Sequence, residues 1–200
     1  MGKPVEYFVA PQSPWTWLGH ERFVAIARKQ SAQVLLKPAD VNKVFAASGG
    51  VPVAQRPPQR QAYRLAELAR WSKHLGLPLN LHPAFFPVNG EPGARMLIAA
   101  LHAAGTEQAL ALLGALGRAC WAEEKNIADP DTLVAIATGV GLDGAQLLER
   151  STSDVVTAEL ARNTDEAIAA HVFGVPWYRV DGEGFWGQDR LDFVERALRQ

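Results

Sequence analysis

Residues typical of β-strands occur only near the two ends of this 200-residue chain. Near the amino end, Val5 to Ala10 and Gln33 to Lys37 enclose a helical pattern, which predicts a β-α-β unit with parallel strands. Near the carboxyl end, Trp177 to Val180 and Gly184 to Trp186 are separated by the turn residues Asp181-Gly182, which predicts an antiparallel pair before a last helix. The strand signals therefore confine the predicted sheet to the two ends of the chain.

The middle of the chain shows helical patterns only. The segment from Asp40 to Pro58 is predicted to be a loop with a short helix, and the residues after it are rich in Ala and Leu. Helices are predicted at Arg60 to Leu75, Gly93 to Ala104, Glu107 to Lys125, Asp131 to Thr138, Asp143 to Glu149 and Ser153 to His171. The order β-α-β, helical insert, β-β-α indicates an α/β thioredoxin-like fold. Residues 1–45 and 165–200 would form its thioredoxin-like domain and residues 46–164 a large all-helical insertion domain.

The composition disfavours several classes of function. A formal net charge of −1 without a basic stripe argues against a nucleic-acid binder. Because Cys120 is the one cysteine, the chain has neither a CxxC motif nor an internal disulfide, and it is not expected to exchange disulfides. No segment approaches the roughly 20 apolar residues of a membrane helix, and the start of the chain lacks the apolar stretch of a secretory signal. These features predict a cytoplasmic protein that does not enter a membrane.

The segment Ser13-Pro14-Trp15-Thr16 lies where the first predicted strand gives way to the first predicted helix. Ser is a favoured N-cap and Pro is favoured at the next position, so one interpretation is a good helix start and nothing more. The functional interpretation is that the helix N-terminus at Ser13 favours an anion, such as the thiolate of a bound ligand. From the four residues alone, the first interpretation is favoured.

Two segments near the carboxyl end are further candidates for a binding site. Pro176 follows Val175 at the start of the third predicted strand, where the peptide bond is either cis or an ordinary trans bond. Gly187, Gln188 and Asp189 lie at a strand-to-helix turn. That turn either caps the last helix or binds a ligand, in which case Asp189 would pair with an ammonium group and free amides would meet a carboxylate.

The remaining chemistry-bearing residues give weaker signals. His20 follows Ser13 by seven residues and lies on the same side of the predicted helix, but an ordinary surface histidine is the favoured interpretation. No histidine pair has metal-ligand spacing such as HExxH, and Ser13 is not in a GxSxG motif. Neither a metal centre nor a hydrolase triad is therefore predicted, and Cys120 is expected to be a small core residue.

In their order and spacing, these segments resemble one family. The chain is similar over nearly its whole length to the 2-hydroxychromene-2-carboxylate isomerases and the related kappa-class glutathione transferases, within the DsbA-like thioredoxin superfamily. The segments that carry this resemblance are Ser13-Pro14-Trp15-Thr16-Trp17-Leu18, Ala69-Arg70-Trp71, Gly76-Leu77-Pro78, Phe86-Pro87, Trp121 with Asn126-Ile127-Ala128-Asp129-Pro130, Phe173-Gly174-Val175-Pro176 and Phe185-Trp186-Gly187-Gln188-Asp189-Arg190-Leu191. Together they are specific for the family and less so for the substrate.

The resemblance implies a glutathione site. Ser13 matches the family's active serine, which holds the sulfur of glutathione, and Thr16 takes the place of the second cysteine of redox relatives. Val175 matches the residue before the family's cis-proline, whose backbone pairs with the cysteinyl part. Gln188 and Asp189 match the pair that holds the γ-glutamyl end. The implied glutathione-binding set is Ser13, Arg60, Val175, Pro176, Trp186, Gly187, Gln188 and Asp189.

The resemblance also implies an activity. Arg60 falls where relatives carry a lysine that faces the glycyl carboxylate, and Asn89 falls near a family substrate contact. The implied enzyme is a glutathione-dependent cis/trans isomerase of aromatic catabolism, in which a thiolate adds to a conjugated double bond of a small aromatic carboxylate, the bond rotates and glutathione leaves. A kappa-like transferase of other electrophiles and a non-redox thioredoxin-like binding protein are the alternatives, and assembly as a homodimer is left open.

Overall fold

A computed structural model of the protein describes residues 2–199, in which four strands form one mixed sheet of order β2-β1-β3-β4. The strands are β1 (Pro4–Val9), β2 (Gln33–Pro38), β3 (Trp177–Val180) and β4 (Glu183–Trp186). Strand β1 runs parallel to β2 and antiparallel to β3, and β3 pairs with β4 in an antiparallel hairpin. The predicted thioredoxin-like fold is confirmed.

Helices occupy most of the remaining chain. Within residues 2–199 they are α1 (Pro14–Lys29), α2 (Val41–Ser48), α3 (Pro58–Leu75), α4 (Glu91–Ala104), α5 (Thr106–Trp121), α6 (Pro130–Gly139), α7 (Gly144–Ser151), α8 (Asp154–Ala169) and α9 (Leu191–Arg199), with short 3-10 turns at Val53–Gln55 and Gln188–Arg190. Helix α5 ends four residues before the predicted Lys125, and Glu124 beyond it has a φ of +54° that a continuing helix would not allow.

Side-chain caps explain why several helices begin where they do. Ser13, Asp129, Asp143 and Ser153 have extended backbones, and each side chain accepts a hydrogen bond from the amide three residues later. Such a bond satisfies one of the amides that have no acceptor within the helix itself. These local signals place the helix starts within a few residues of their predicted positions.

Alternate residues of β1 enter two separate parts of the core. Val5, Tyr7 and Val9 belong to the larger cluster, which extends into α1 and the helices of the insert, whereas Phe8 belongs to a smaller cluster with Val44 and Trp177. The period of two along a strand explains this division, because successive side chains point to opposite faces of the sheet. The insert and the sheet therefore share one apolar cluster, and the domain boundaries near residues 45 and 165 stay a prediction.

The expectation that His20 is a surface histidine is wrong. Its side chain is 1% exposed, because the face of α1 that carries it packs against both the sheet and α5. One ring nitrogen, Nε2, lies 2.9 Å from the carbonyl oxygen of Leu110, and Nδ1 lies 3.4 Å from the hydroxyl of Tyr7. Within the described part of the chain, no helix is both long enough and apolar enough to cross a membrane.

Candidate active site

Ser13 lies at the junction between the sheet and the first helix. Its amide donates to the carbonyl of Ala10 at 3.0 Å, and its Oγ accepts from the amide of Thr16 at 3.2 Å, so Ser13 is the N-cap of the 16-residue helix α1. The side chain is 9% exposed. Because Oγ already accepts one hydrogen bond, its own proton is available to an acceptor on the other side, and the bond from Thr16 polarises it for that purpose.

That acceptor is the carbonyl oxygen of Val175, which the Ser13 hydroxyl meets at 3.3 Å. The next peptide bond, Val175-Pro176, is cis. Among the described residues, the amide of Val175 donates to no backbone or side-chain group. A ligand with an extended backbone would find one donor and one acceptor of Val175 in line beside Ser13, which is the pairing that sheet edges offer to peptides. The structure therefore brings Ser13, Val175 and Pro176 together.

The turn after β4 packs beside the cis-proline. The amide of Gly187 donates to the carbonyl of Pro176 at 3.0 Å. Gly187 has a φ of +98°, and a Cβ there would lie 2.6 Å from a carboxylate oxygen of Asp189, so only glycine suits this position. Trp186 is 51% exposed, and its ring contacts that of Phe173 at a centroid distance of 4.8 Å. Trp186 and Gly187 thus adjoin Pro176.

Gln188 and Asp189 face in different directions. The Gln188 side chain is 2% exposed, and its Oε1 accepts from Nη1 of Arg22 at 2.8 Å. The carboxylate of Asp189 is 39% exposed and pairs with the guanidinium of Arg190 at 2.8 Å. The predicted contact of both residues with the γ-glutamyl group stays a prediction. The Asp189 carboxylate is partly exposed, whereas the Gln188 side chain is directed towards α1.

A small cavity of about 50 Å³ lies against Gln12, the residue before Ser13. It is lined by Gln12, Asp40, Asn42, Asn89 and Glu91 among other residues. Asn89 is exposed and its Oδ1 accepts from the amide of Glu91 at 3.1 Å, just before α4 begins. The structure thus brings the predicted substrate contact Asn89 to a cavity shared with the neighbour of Ser13, and its polar lining was not anticipated from sequence.

The other predicted residues lie farther out or play no part. Arg60 is exposed on the first turn of α3, and its side chain makes no hydrogen bond or ion pair with another described residue. Cys120 is 2% exposed, and burial raises the pKa of its thiol to about 12, as expected of a core residue rather than a redox group. No cluster of metal-ligating side chains occurs among residues 2–199.

Comparison with known proteins identifies the family. A sequence model of the DSBA-like thioredoxin domain matches residues 4–199. The chain belongs to the DsbA-like thioredoxin family. It is 30% identical, over 99% of both chains, to the 2-hydroxychromene-2-carboxylate isomerase of Sphingobium xenophagum. It is also 26% identical to glutathione S-transferase kappa 1 of Homo sapiens, covering 98% of this chain and 91% of the human protein.

Solved structures agree with this assignment. A 2-hydroxychromene-2-carboxylate isomerase structure aligns with a TM-score of 0.82 at 25% identity, covering 97% of this chain and 93% of the other. This member of the DsbA-like thioredoxin family therefore falls in its branch of isomerases and glutathione transferases, as the sequence motifs predicted. It carries Ser13 and Thr16 at the start of α1 and no second cysteine anywhere in the chain.

Proposed function

We propose that the protein is a glutathione-dependent cis/trans isomerase of the 2-hydroxychromene-2-carboxylate type, in which Ser13 stabilises the glutathione thiolate. The observation that carries the proposal is the 3.3 Å contact between the Ser13 hydroxyl and the carbonyl of Val175. It joins a hydroxyl at a helix N-terminus to the backbone beside a cis-proline. The 30% identity to an isomerase over 99% of both chains supports the same conclusion.

The surroundings of Ser13 suit a thiolate. Residues at the N-terminus of a 16-residue helix experience a favourable field for negative charge, and the amide of Trp15 donates to no other described residue. Turning the Ser13 hydroxyl from Val175 towards a sulfur atom exchanges a long, neutral hydrogen bond for a charge-assisted one, which is stronger. A thiol bound there would have a lowered pKa, as cysteine thiols at helix N-termini have.

The groups around Val175 suit the remainder of a tripeptide. The unpaired amide of Val175 and its carbonyl would pair with the cysteinyl backbone, and the carboxylate of Asp189 would pair with the γ-glutamyl ammonium group. Arg60 would meet the glycyl carboxylate. When bound, glutathione would supply the sulfur nucleophile that adds to the conjugated double bond and later departs. The protein's part is to hold that sulfur ionised and to place the acceptor beside it.

The polarity of the small cavity favours a second candidate, a kappa-like glutathione transferase of other electrophiles. Asp40, Asn42, Asn89 and Glu91 line this cavity next to Gln12, so it is more polar than an aromatic ring requires. The glutathione-binding residues would be the same in both enzymes. The 26% identity to a kappa transferase over 98% of the chain is consistent with either.

One experiment separates the two candidates and tests both. Glutathione is titrated into the protein by calorimetry, and turnover of 2-hydroxychromene-2-carboxylate is then followed with and without glutathione while free thiol is measured. The thiol measurement is repeated with chlorodinitrobenzene, because an isomerase consumes no thiol with the chromene, whereas a transferase consumes one thiol for each chlorodinitrobenzene that it converts. The proposal predicts saturable glutathione binding and chromene turnover at constant thiol. Absence of glutathione binding would refute both enzymes and leave a thioredoxin-like binding protein.

A further inference from the structure

Three arginines follow one another at intervals of four residues, one just before α3 and two at its start. They are Arg56, Arg60 and Arg64, and none lies within ion-pair distance of a carboxylate among residues 2–199. By contrast, Arg70 on the same helix pairs with Glu67. The segment that leads into α3 and the first part of the helix therefore carry a concentration of positive charge that the described residues leave uncompensated.

Arg64 is the unusual member because its side chain is buried. It is 9% exposed, and its guanidinium carbon lies 5.3 Å from the ring centre of Phe86 and 5.8 Å from that of Trp121. Burial, followed by the nearby charge of Arg56, lowers the pKa of Arg64 to about 10, so it stays protonated at neutral pH. Aromatic rings attract such a cation but leave its five N–H donors without acceptors.

The guanidinium hydrogen bonds to no other described residue, and its nitrogens are not among the fully buried side-chain atoms that lack a partner. Guanidinium groups that are largely buried normally have their donors satisfied, whereas those of Arg64 remain open to solvent. The neighbouring Arg56, in contrast, donates from Nε to the carbonyl of Val51 at 2.7 Å. The donors of Arg64 are therefore available to a ligand.

Arg64 is linked to the candidate active site through the two aromatic rings that it contacts. The indole of Trp121 donates to the carbonyl of Gln12 at 3.3 Å, and Gln12 directly precedes Ser13. The ring of Phe86 lies 4.7 Å from that of Trp121. Phe86 is three residues before Asn89, which lines the small cavity together with Gln12. The guanidinium thus contacts the same indole that hydrogen bonds to the backbone next to Ser13.

We propose that Arg64 binds a carboxylate of a ligand held beside Ser13, with its planar guanidinium pairing bidentately to the carboxylate oxygens. The inference rests on the proposed function for the identity of the ligands, since the carboxylate belongs either to the acceptor or to the glycyl end of glutathione, which Arg64 would then share with Arg60. A bidentate carboxylate satisfies two donors at once and neutralises the buried charge. Phe86 and Trp121 fix the guanidinium in place for it.

The test compares Arg64→Met with Arg70→Met, a matched control that removes a paired and exposed arginine from the same helix. Glutathione is titrated into each protein by calorimetry. Benzoate and its neutral analogue benzamide are titrated by NMR, both without glutathione and at saturating glutathione. The wild type is expected to bind benzoate more tightly than benzamide, or to bind glutathione more tightly than its glycyl ester. Arg64→Met should lose about tenfold or more in one of these affinities, the scale of a charged hydrogen bond, and Arg70→Met should lose none.

The outcomes separate the sources of the carboxylate. Weaker glutathione binding with unchanged benzoate binding assigns Arg64 to the glycyl end, and the reverse result assigns it to the acceptor. Unchanged affinities for both ligands in folded Arg64→Met would overturn the inference and leave a merely structural arginine. If that variant does not fold, a wild type that binds benzoate no better than benzamide, and glutathione no better than its glycyl ester, overturns it equally. A protein that binds benzoate through Arg64 but no glutathione retains this inference and loses the proposed function.

Discussion

Nη1 of Arg22 donates to Oε1 of Gln188 at 2.8 Å, which connects helix α1 to the turn that precedes α9. Helix α1 carries Ser13 at its start, and the turn carries Asp189. Because Gln188 is 2% exposed, this oxygen depends on the arginine for its hydrogen bond. The bond therefore fixes the position of Asp189 relative to Ser13, although neither Arg22 nor the Gln188 side chain needs to contact a ligand.

Arg22→Met should weaken both the fold and the proposed glutathione site. Leaving Gln188 Oε1 buried without a donor costs about 1–3 kcal/mol, so the free energy of unfolding in urea should fall by that amount. The turn would also lose its tether, and glutathione affinity should fall several-fold while the turnover number at saturating glutathione changes little. Arg28→Met is the control, since it removes an exposed arginine of the same helix that pairs with Glu107. Equal behaviour of the two variants would contradict the positioning role of Arg22.

Asp189→Ala should weaken glutathione binding by about 1.5–3 kcal/mol, the scale of a hydrogen bond to a charged group. The physical reason is the loss of the carboxylate proposed to pair with the γ-glutamyl ammonium group. Calorimetric titration measures the change. Asp192→Ala is the matched control because Asp192 is an exposed acid in the first turn of α9, paired with Arg196 at 3.7 Å. If Asp189→Ala binds glutathione as tightly as Asp192→Ala, Asp189 is only part of the helix start.

Much of this fold follows from local signals in the sequence. Helix starts are readable from the sequence because capping depends on neighbouring residues alone. The side-chain caps that show this are Ser13, Asp129, Asp143 and Ser153. The hairpin is equally local, since Asp181 and Gly182 both take positive φ values in its turn. The grouping of Ser13 with Val175 and Pro176 came from the family resemblance, because their contact spans 162 positions of the sequence.

What could not be predicted depends on packing between distant segments. The burial of His20 is set by Leu110 and Tyr7, which no local pattern connects to it. The direction of the Gln188 side chain is set by Arg22, and the burial of Arg64 is set by two rings from other parts of the chain. The spacing of Arg60 and Arg64 was a usable signal for a charged helix face, but the sequence does not show that Arg64 is buried.

The thiol of Cys120 should be unreactive in the native protein. Its thiol is 2% exposed and has a pKa of about 12, so almost no thiolate is present at neutral pH. We expect no insulin reduction and no thiol oxidation, and we expect labelling by a chromogenic disulfide reagent only as fast as the protein unfolds. Rapid labelling in native buffer, or thiol oxidase activity that Cys120→Ala abolishes, would show that this assignment is wrong.

His20 should make the free energy of unfolding decrease as the pH falls into the acid range. Burial lowers the pKa of His20 from its ordinary 6.5, with the charge of Glu21 partly opposing the shift. The unfolded chain therefore takes up a proton at His20 at a higher pH than the folded chain does. The stability contributed by neutral His20 is fully present above the unfolded pKa and is lost as the pH falls from about 6.5 through the lower folded pKa.

A non-titrating replacement tests this linkage. His20→Gln retains a donor for the carbonyl of Leu110, and its unfolding free energy in urea should change less between about pH 7 and pH 5 than that of the wild type. His82→Gln replaces an exposed histidine and should retain the wild-type dependence. If the unfolding free energies of wild type and His20→Gln change equally with pH, His20 is protonated to the same extent in the folded and unfolded states.

The thiolate absorbance of bound glutathione, measured against pH in wild type and Ser13→Ala, tests the central claim most directly. Ser13→Ala removes the donor and the N-cap, costing about 1 kcal/mol of stability, but leaves the helix field and the groups around Val175. Glutathione should still bind, its thiol should ionise at a higher pH than in the wild type, and turnover should fall by about 10²–10³-fold, the scale for one lost donor to a developing anion. If the two titrations coincide and both proteins turn over equally fast, Ser13 is merely a helix cap and the proposed mechanism is wrong.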